Sequence, residues 1–309
     1  MAVPEGSEDN LAWEARQRTP AVIAALVAGA FIFVGIVWRG LALSDLPRNG
    51  IVEALDRAAE PGAIGGTESL KVDTYQVFED QAVGVLGSSV MVAIGYLALG
   101  WVLTYLAVAA RARRPEMPRL LVYLPLTAGV LQALATAFAA FATNSAISDF
   151  LSGPRTVDEA RDVTGTDLGV FAQLIGLPGA LGLALALVLI GLNAMRVGLL
   201  TRFMGVLAII TGVLQILPFG GPLPVVQSFW LLMLALLISG RWAGGPPLAW
   251  RTGKAEPWPS AAAVREQRQR AAGERRGEVV EPPADEEPAP VGGGPSPSTS
   301  ARKRKRKRR

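Results

Sequence analysis

The chain contains no cysteine and no histidine. The first absence excludes disulfides and thiol catalysis, although it leaves the redox compartment open. The second excludes imidazole acid–base chemistry and, with the first, the usual ligands of zinc and haem. Charge is also scarce. Asp, Glu, Lys and Arg make up 18% of 309 residues, against about 25% in an ordinary soluble domain. No GxSxG, HExxH or P-loop pattern occurs, so the common hydrolytic, metalloprotease and nucleotide-binding chemistries have no motif to rest on. The expectation is a non-enzymatic protein without a cofactor.

What the chain has instead is long runs without any charge. The uncharged intervals hold 20 residues between Arg18 and Arg39, 30 between Asp80 and Arg111 and 29 between Arg119 and Asp149. A further 28 lie between Asp167 and Arg196, and 38 between Arg202 and Arg241. A charge at bilayer centre costs at least roughly 2.5–3.5 kcal/mol, and about 20 apolar residues cross the hydrocarbon core as a helix. Each of the first four intervals therefore predicts one span. The fifth is long enough for two, divided by LPFGGPLP at Leu217–Pro224, whose prolines and glycines read as a turn.

The fold class read this way is all-α: a polytopic transmembrane bundle of about six helices with a disordered C-terminal tail. The spans fall at about 20–38, 82–110, 120–146, 168–194, 200–218 and 222–240. An N-terminal segment covers 1–19 and the tail covers 241–309. Four helices plus a re-entrant hairpin is the competing reading of the last pair. The first apolar stretch exceeds the 7–15 residues of a signal-peptide core and ends in bulky Phe31, Phe33 and Trp38, which favours an uncleaved anchor. Trp38, Trp101, Trp230 and Trp242 fall near predicted span ends and read as interfacial anchors.

Loop charge alternates. Arg39 to Asp80 holds four basic and eight acidic residues, and Asp149 to Asp167 holds two and five. RARRPEMPR after the second span has four Arg and one Glu, and the loop at Arg196 and Arg202 has no acid. The positive-inside rule then puts both termini and the basic loops in the cytoplasm and the acidic loops outside. The Ala-, Arg-, Gly- and Pro-rich composition points to a GC-rich bacterial genome, so the membrane expected is the bacterial plasma membrane. The net acidic residues 5–14 dissent, but acids weigh little in that rule. Thr156 followed by Asp158 and Glu159 reads as the cap of a short helix.

A shift of 83 residues overlays Arg113–Leu134 on Arg196–Leu217 with eight identities in 22 positions, ending in a shared GVLQ. Either a duplicated two-helix hairpin or chance likeness of Leu- and Gly-rich helices accounts for it. The overlay pairs Gln132 with Gln215. No ionisable residue lies within a span, so the candidate intramembrane polar positions are amides: Gln132, Gln173 and Gln215 above all. They read either as a pocket for a neutral solute or as ordinary interhelical bonding. GLPGALG at Gly176–Gly182 combines a helix-kinking Pro178 with small residues suited to close approach.

The tail ends in Arg302, Lys303, Arg304, Lys305, Arg306, Lys307, Arg308 and Arg309. Hung beside a bilayer, such a run is drawn to anionic headgroups by about 1 kcal/mol per charge, with the ribosome as second candidate. A sequence-specific nucleic-acid site is not implied. The preceding GRWAGGPPLAWRTGKAEPWP reads as a surface segment, and Ser260–Glu278 as a helix-forming stretch without an apolar face. The stretch from Asn193 to Trp242, with PPLAWRTGKAEPWPS and the basic end, resembles the C-terminal part of a group of uncharacterised, multi-spanning actinobacterial membrane proteins. That resemblance implies architecture and carries no activity.

Overall fold

A computed structural model describes residues 7–47, 68–216, 223–242 and 245–258, together with Arg265 and Gln269, both helical. The basic run Arg302–Arg309, residues 217–222 of the expected turn and, apart from Arg265 and Gln269, the helix-forming stretch Ser260–Glu278 lie outside the described residues.

Six helices build a transmembrane bundle: α1 (Ser7–Ala42), α3 (Ala82–Arg113), α4 (Leu120–Ser152), α6 (Asp167–Arg196), α7 (Arg202–Ile216) and α8 (Leu223–Ile238). Short helices α2 (Val72–Asp80), α5 (Val157–Asp162) and α9 (Ala249–Thr252) accompany them. Four helices are long and apolar enough to cross a membrane, and α7 and α8 are shorter apolar helices. At 15 and 16 residues the last two rise only about 22–24 Å, short of a core of about 30 Å. The described parts are thus shorter than the expected 200–218 and 222–240.

The helices close into a ring in the order α1, α3, α4, α6, α7, α8 and back to α1, with α3 also meeting α6 across the middle. Small residues set the spacing. On α1 the buried positions are Asn10, Glu14, Ala21, Ala25, Ala28, Gly29, Ile32 and Gly35. Apart from Gly29, they follow one another at three, four or seven residues and form one stripe along the helix. A Cβ at Gly100 would lie 2.7 Å from the Pro125 carbonyl oxygen and 3.3 Å from the Gly129 Cα, so α3 and α4 touch backbone to backbone there. Gly176, Gly179 and Gly182 of α6 lie against Ala135, Gln132 and Ala128 of α4. The stretch predicted to allow close approach does so. In lipid, where no hydrophobic force drives helix against helix, such contacts supply the packing energy.

The two segments related by the 83-residue shift occupy matching places. Each starts at the last residue of a long helix, Arg113 or Arg196, and runs into the next helix. In each, the glycine of GVLQ is pressed against the preceding long helix: Gly129 against Tyr96 and Gly100, Gly212 against Ala184 and Val188.

At the end carrying Asp149 and Asp167, α2, α4 and α5 enclose a second apolar cluster including Tyr75, Ile147, Phe150 and Val163. Thr156 caps α5 with a reciprocal pair of bonds to Glu159, as its sequence predicts.

Three expectations change. The N-terminal segment 1–19 is helical from Ser7 and continuous with the first span. Its 36 residues rise about 54 Å, so α1 projects well beyond one bilayer core. The tail does not separate from the bundle at 241, since the compact unit runs to Trp258. Trp230 is no interfacial anchor: it is fully buried, and its indole N–H donates to the Met204 carbonyl at 3.0 Å. A large indole with one donor fits a core only where that donor finds an acceptor.

Candidate functional site

The three expected amides have different settings. Gln132 on α4 lies against Gly179 of α6, and its buried Oε1 has no partner among the described residues. Gln215 on α7 is hydrogen-bonded to Tyr96 of α3. Gln173 on α6 is exposed on the outer surface of the bundle. The charge pattern places these residues within spans, but it carries no information on which way each helix is rotated.

The densest polar site lies elsewhere, at the bundle end that carries Arg18, Arg113, Arg196 and Arg241. Arg113 ends α3, and its side chain is 0% exposed. Its guanidinium grips both carboxylate oxygens of Glu14 on α1: Nη1 donates to Oε1, and Nη2 to Oε2 at 3.1 Å. Nη1 also donates to the Ala109 carbonyl at 3.0 Å, and Nη2 to the Ala249 carbonyl at 2.7 Å. The planar fork of Arg matches a carboxylate in this two-point way, which an ammonium cannot do. Burial pushes the Glu14 carboxyl above its ordinary value, while the Arg113 guanidinium works the other way. The two-point contact requires the carboxylate, since a protonated Glu14 would strand Arg113 in the interior without a counter-charge.

Aromatic rings wall this pair. Trp13 stacks on Tyr105 at 5.4 Å between centroids, and Tyr105 stacks on Trp250 at 5.9 Å. Arg113 also sits over the Trp250 ring at 5.7 Å, a cation–π contact. Tyr105 thus stacks with two indoles, Trp13 of α1 and Trp250.

Trp250 belongs to a strap, residues 245–258, that lies back on this end of the bundle. Its indole N–H donates to the Leu199 carbonyl at 2.8 Å, and that of Trp258 to the Leu200 carbonyl at 2.8 Å. The Glu256 amide donates to the Val197 carbonyl at 3.0 Å, and the Asn10 side-chain amide to the Gly253 carbonyl at 3.2 Å. Val197, Leu199 and Leu200 follow the end of α6, where carbonyls have lost their helical partners. The strap satisfies those acceptors. Gly198 permits it, having a φ of +79° and no room for a Cβ beside the Glu256 carbonyl. Arg18 does a similar service for α8, its Nε donating to the Ile238 carbonyl at 2.6 Å, a cation at the negative end of a helix.

A cavity of about 200 Å³ opens beside the ion pair, lined by Leu11, Glu14, Ala15, Arg18, Tyr105 and Trp250. Among the described residues, no group of three or more acidic side chains is arranged to hold a metal ion.

Sequence reasoning gave Glu14 no role and read the strap as a surface segment. Glu14 was legible as a member of the stripe that runs from Asn10 through Ala21 to Gly35. The strap has no periodicity to read, and only its tryptophans set it apart.

No family model matches the chain, and neither the curated proteins nor the solved structures contain a match.

Proposed function

We propose that this is a non-enzymatic integral membrane protein of the bacterial plasma membrane with an accessory or scaffolding role. Both termini face the cytoplasm, and the polybasic run Arg302–Arg309 contacts anionic lipid or the ribosome. The observation that supports this reading is the backbone-to-backbone packing of the bundle, with Gln215 engaged by Tyr96 and Gln173 exposed apart from buried Gln132 Oε1. A protein that moves or transforms a solute needs convergent polar groups. The ion-paired end that anchors the strap supports a rigid platform from which the tail departs.

The test compares the full-length protein with a variant lacking Arg302–Arg309. Both are assayed in detergent for binding to phosphatidylglycerol vesicles, for co-sedimentation with ribosomes and for specific co-purifying proteins. Loss of binding on deletion supports the reading, and unchanged binding overturns the role of the tail. Orientation has its own test, made simple by the absence of native cysteine. Glu60→Cys reacts in intact cells with an impermeant maleimide, whereas Glu116→Cys reacts only after lysis.

A second reading, a transporter or channel for a small neutral solute, draws support from buried polar atoms without partners: Gln132 Oε1, Gln227 Nε2 and Ser228 Oγ. Solute-driven swelling of proteoliposomes, absent from protein-free vesicles, would favour it.

A further inference from the structure

We propose that the cavity between Arg18, Tyr105 and Trp250 is a headgroup site for an anionic phospholipid, its phosphate held between the Arg18 guanidinium and the Tyr105 hydroxyl. This site involves α1, α3 and the strap and needs no residue after Trp258, so it stands apart from the proposed tail contact.

Four observations converge on it. The first is net charge. Glu14 lines the cavity but is held at both oxygens by Arg113, which leaves the Arg18 charge in excess. An anion is therefore the complementary ligand, and a bare cation is disfavoured.

The second is the Tyr105 hydroxyl. Tyr105 is 2% exposed and lines the cavity, and no hydrogen bond to its hydroxyl is formed among the described residues. Its ring stacks with both Trp13 and Trp250. The hydroxyl is not among the buried polar atoms left without a partner, so it is open to solvent and free to donate to a ligand oxygen.

The third is the state of Arg18. Only its Nε is committed to the Ile238 carbonyl, and Nη2 faces Gly240, which has no side chain to cover it. The remaining N–H groups suit a phosphate oxygen.

The fourth is place and size. Arg18 immediately precedes the first uncharged span, at headgroup depth for a helix that continues into the bilayer. About 200 Å³ is below the roughly 300–1,000 Å³ of sites that enclose whole drug-sized molecules. It suits a headgroup whose acyl chains stay in the membrane.

The experiment uses the full chain in dodecyl maltoside at high salt, which screens the charges of the basic tail. Dioleoyl phosphatidylglycerol or dioleoyl phosphatidylcholine is added in mixed micelles. Retained lipid is counted by native mass spectrometry, and the thermal midpoint is followed. Phosphatidylglycerol is expected to be retained as one tight copy and to raise the midpoint, while phosphatidylcholine does neither. Tyr105→Phe keeps the stacked ring and removes only the hydroxyl. It should weaken phosphatidylglycerol about tenfold, the effect of one charge-assisted hydrogen bond, and leave the lipid-free midpoint unchanged. Arg18→Gln should weaken it more. If Arg18→Gln loosens α8 and fails to fold, Tyr105→Phe decides alone. Inorganic phosphate reproducing the midpoint shift, with the same loss in Tyr105→Phe, keeps the anion site and assigns it a soluble phosphate. Equal affinity in wild type and Tyr105→Phe overturns the site, as does an equal response to the two lipids. If the response vanishes on deleting Arg302–Arg309 while Tyr105→Phe binds normally, the lipid belongs to the tail; the cavity site then falls and the tail reading stands.

Discussion

Arg113 and Glu14, 99 positions apart in the chain, form a two-point ion pair buried between α1 and α3. Burying such a pair gains little over an apolar pair of the same size, yet breaking it by removing one partner costs about 3–5 kcal/mol. Glu14→Gln should therefore destabilise the protein by about that amount, and Arg113→Met by a similar amount. The double variant Glu14→Leu/Arg113→Met should be less destabilised than either single change, because no buried charge remains. Thermal or denaturant unfolding in detergent checks the set. Simple additivity of the single effects would show that the two residues are energetically independent.

Gly198 governs how the strap lies on the bundle. Its φ of +79° costs any other L residue roughly 1–2 kcal/mol, and a Cβ would also drive into the Glu256 carbonyl. Gly198→Ala should release residues 245–258 without dissolving the bundle. The expected signature is new proteolytic cleavage near Lys254, with the helical circular dichroism signal nearly unchanged.

The spans were legible because hydrocarbon excludes ions, so the gaps between charges mark the limits of α3, α4 and α6 within a few residues, although α1 begins at Ser7, eleven residues before the Arg18 that opens its gap. Arg113, inside the expected basic loop 111–119, and Arg196, which opens the next basic loop, end α3 and α6. What charge spacing cannot give is rotation about a helix axis. Gln173 sits at a plausible depth yet faces outward, whereas Gln132 faces α6. Counting acids as weak topological signals also hid the role of Glu14. Its place four residues after Asn10 and seven before Ala21 puts it on the packed stripe of α1, and helical periodicity holds that information even where the positive-inside rule ignores it. Trp230 was misread for a related reason: aromatic enrichment at interfaces describes populations, and a single indole goes where its N–H finds an acceptor.

Trp230 gives the next prediction. Trp230→Phe removes the donor to the Met204 carbonyl and leaves that buried acceptor without its indole partner. The expected cost is about 1–3 kcal/mol, with a further term for the smaller ring. Trp38→Phe changes a residue that is 42% exposed and should cost much less. Comparing the two unfolding midpoints tests whether the core assignment of Trp230 is right.

Glycine supplies the last test, since two helical glycines in one protein should respond with opposite sign. Gly40, in the final turn of α1, has nothing within 4 Å of the position a Cβ would take. Gly40→Ala should stabilise by about 0.5–1 kcal/mol, by lowering the freedom of the unfolded chain and raising helix propensity. Gly100 has the same helical backbone but meets the Pro125 carbonyl at 2.7 Å and the Gly129 Cα at 3.3 Å. Those are backbone atoms, which cannot swing aside as a flexible side chain would. Gly100→Ala must push α3 and α4 apart, loosening the contacts on both sides of the crossing, and overpacking of this kind costs about 1–3 kcal/mol. Opposite shifts of the unfolding midpoint are expected. A stabilised Gly100→Ala would mean that the two backbones do not meet there, and the close-packed crossing of α3 and α4 would have to be abandoned.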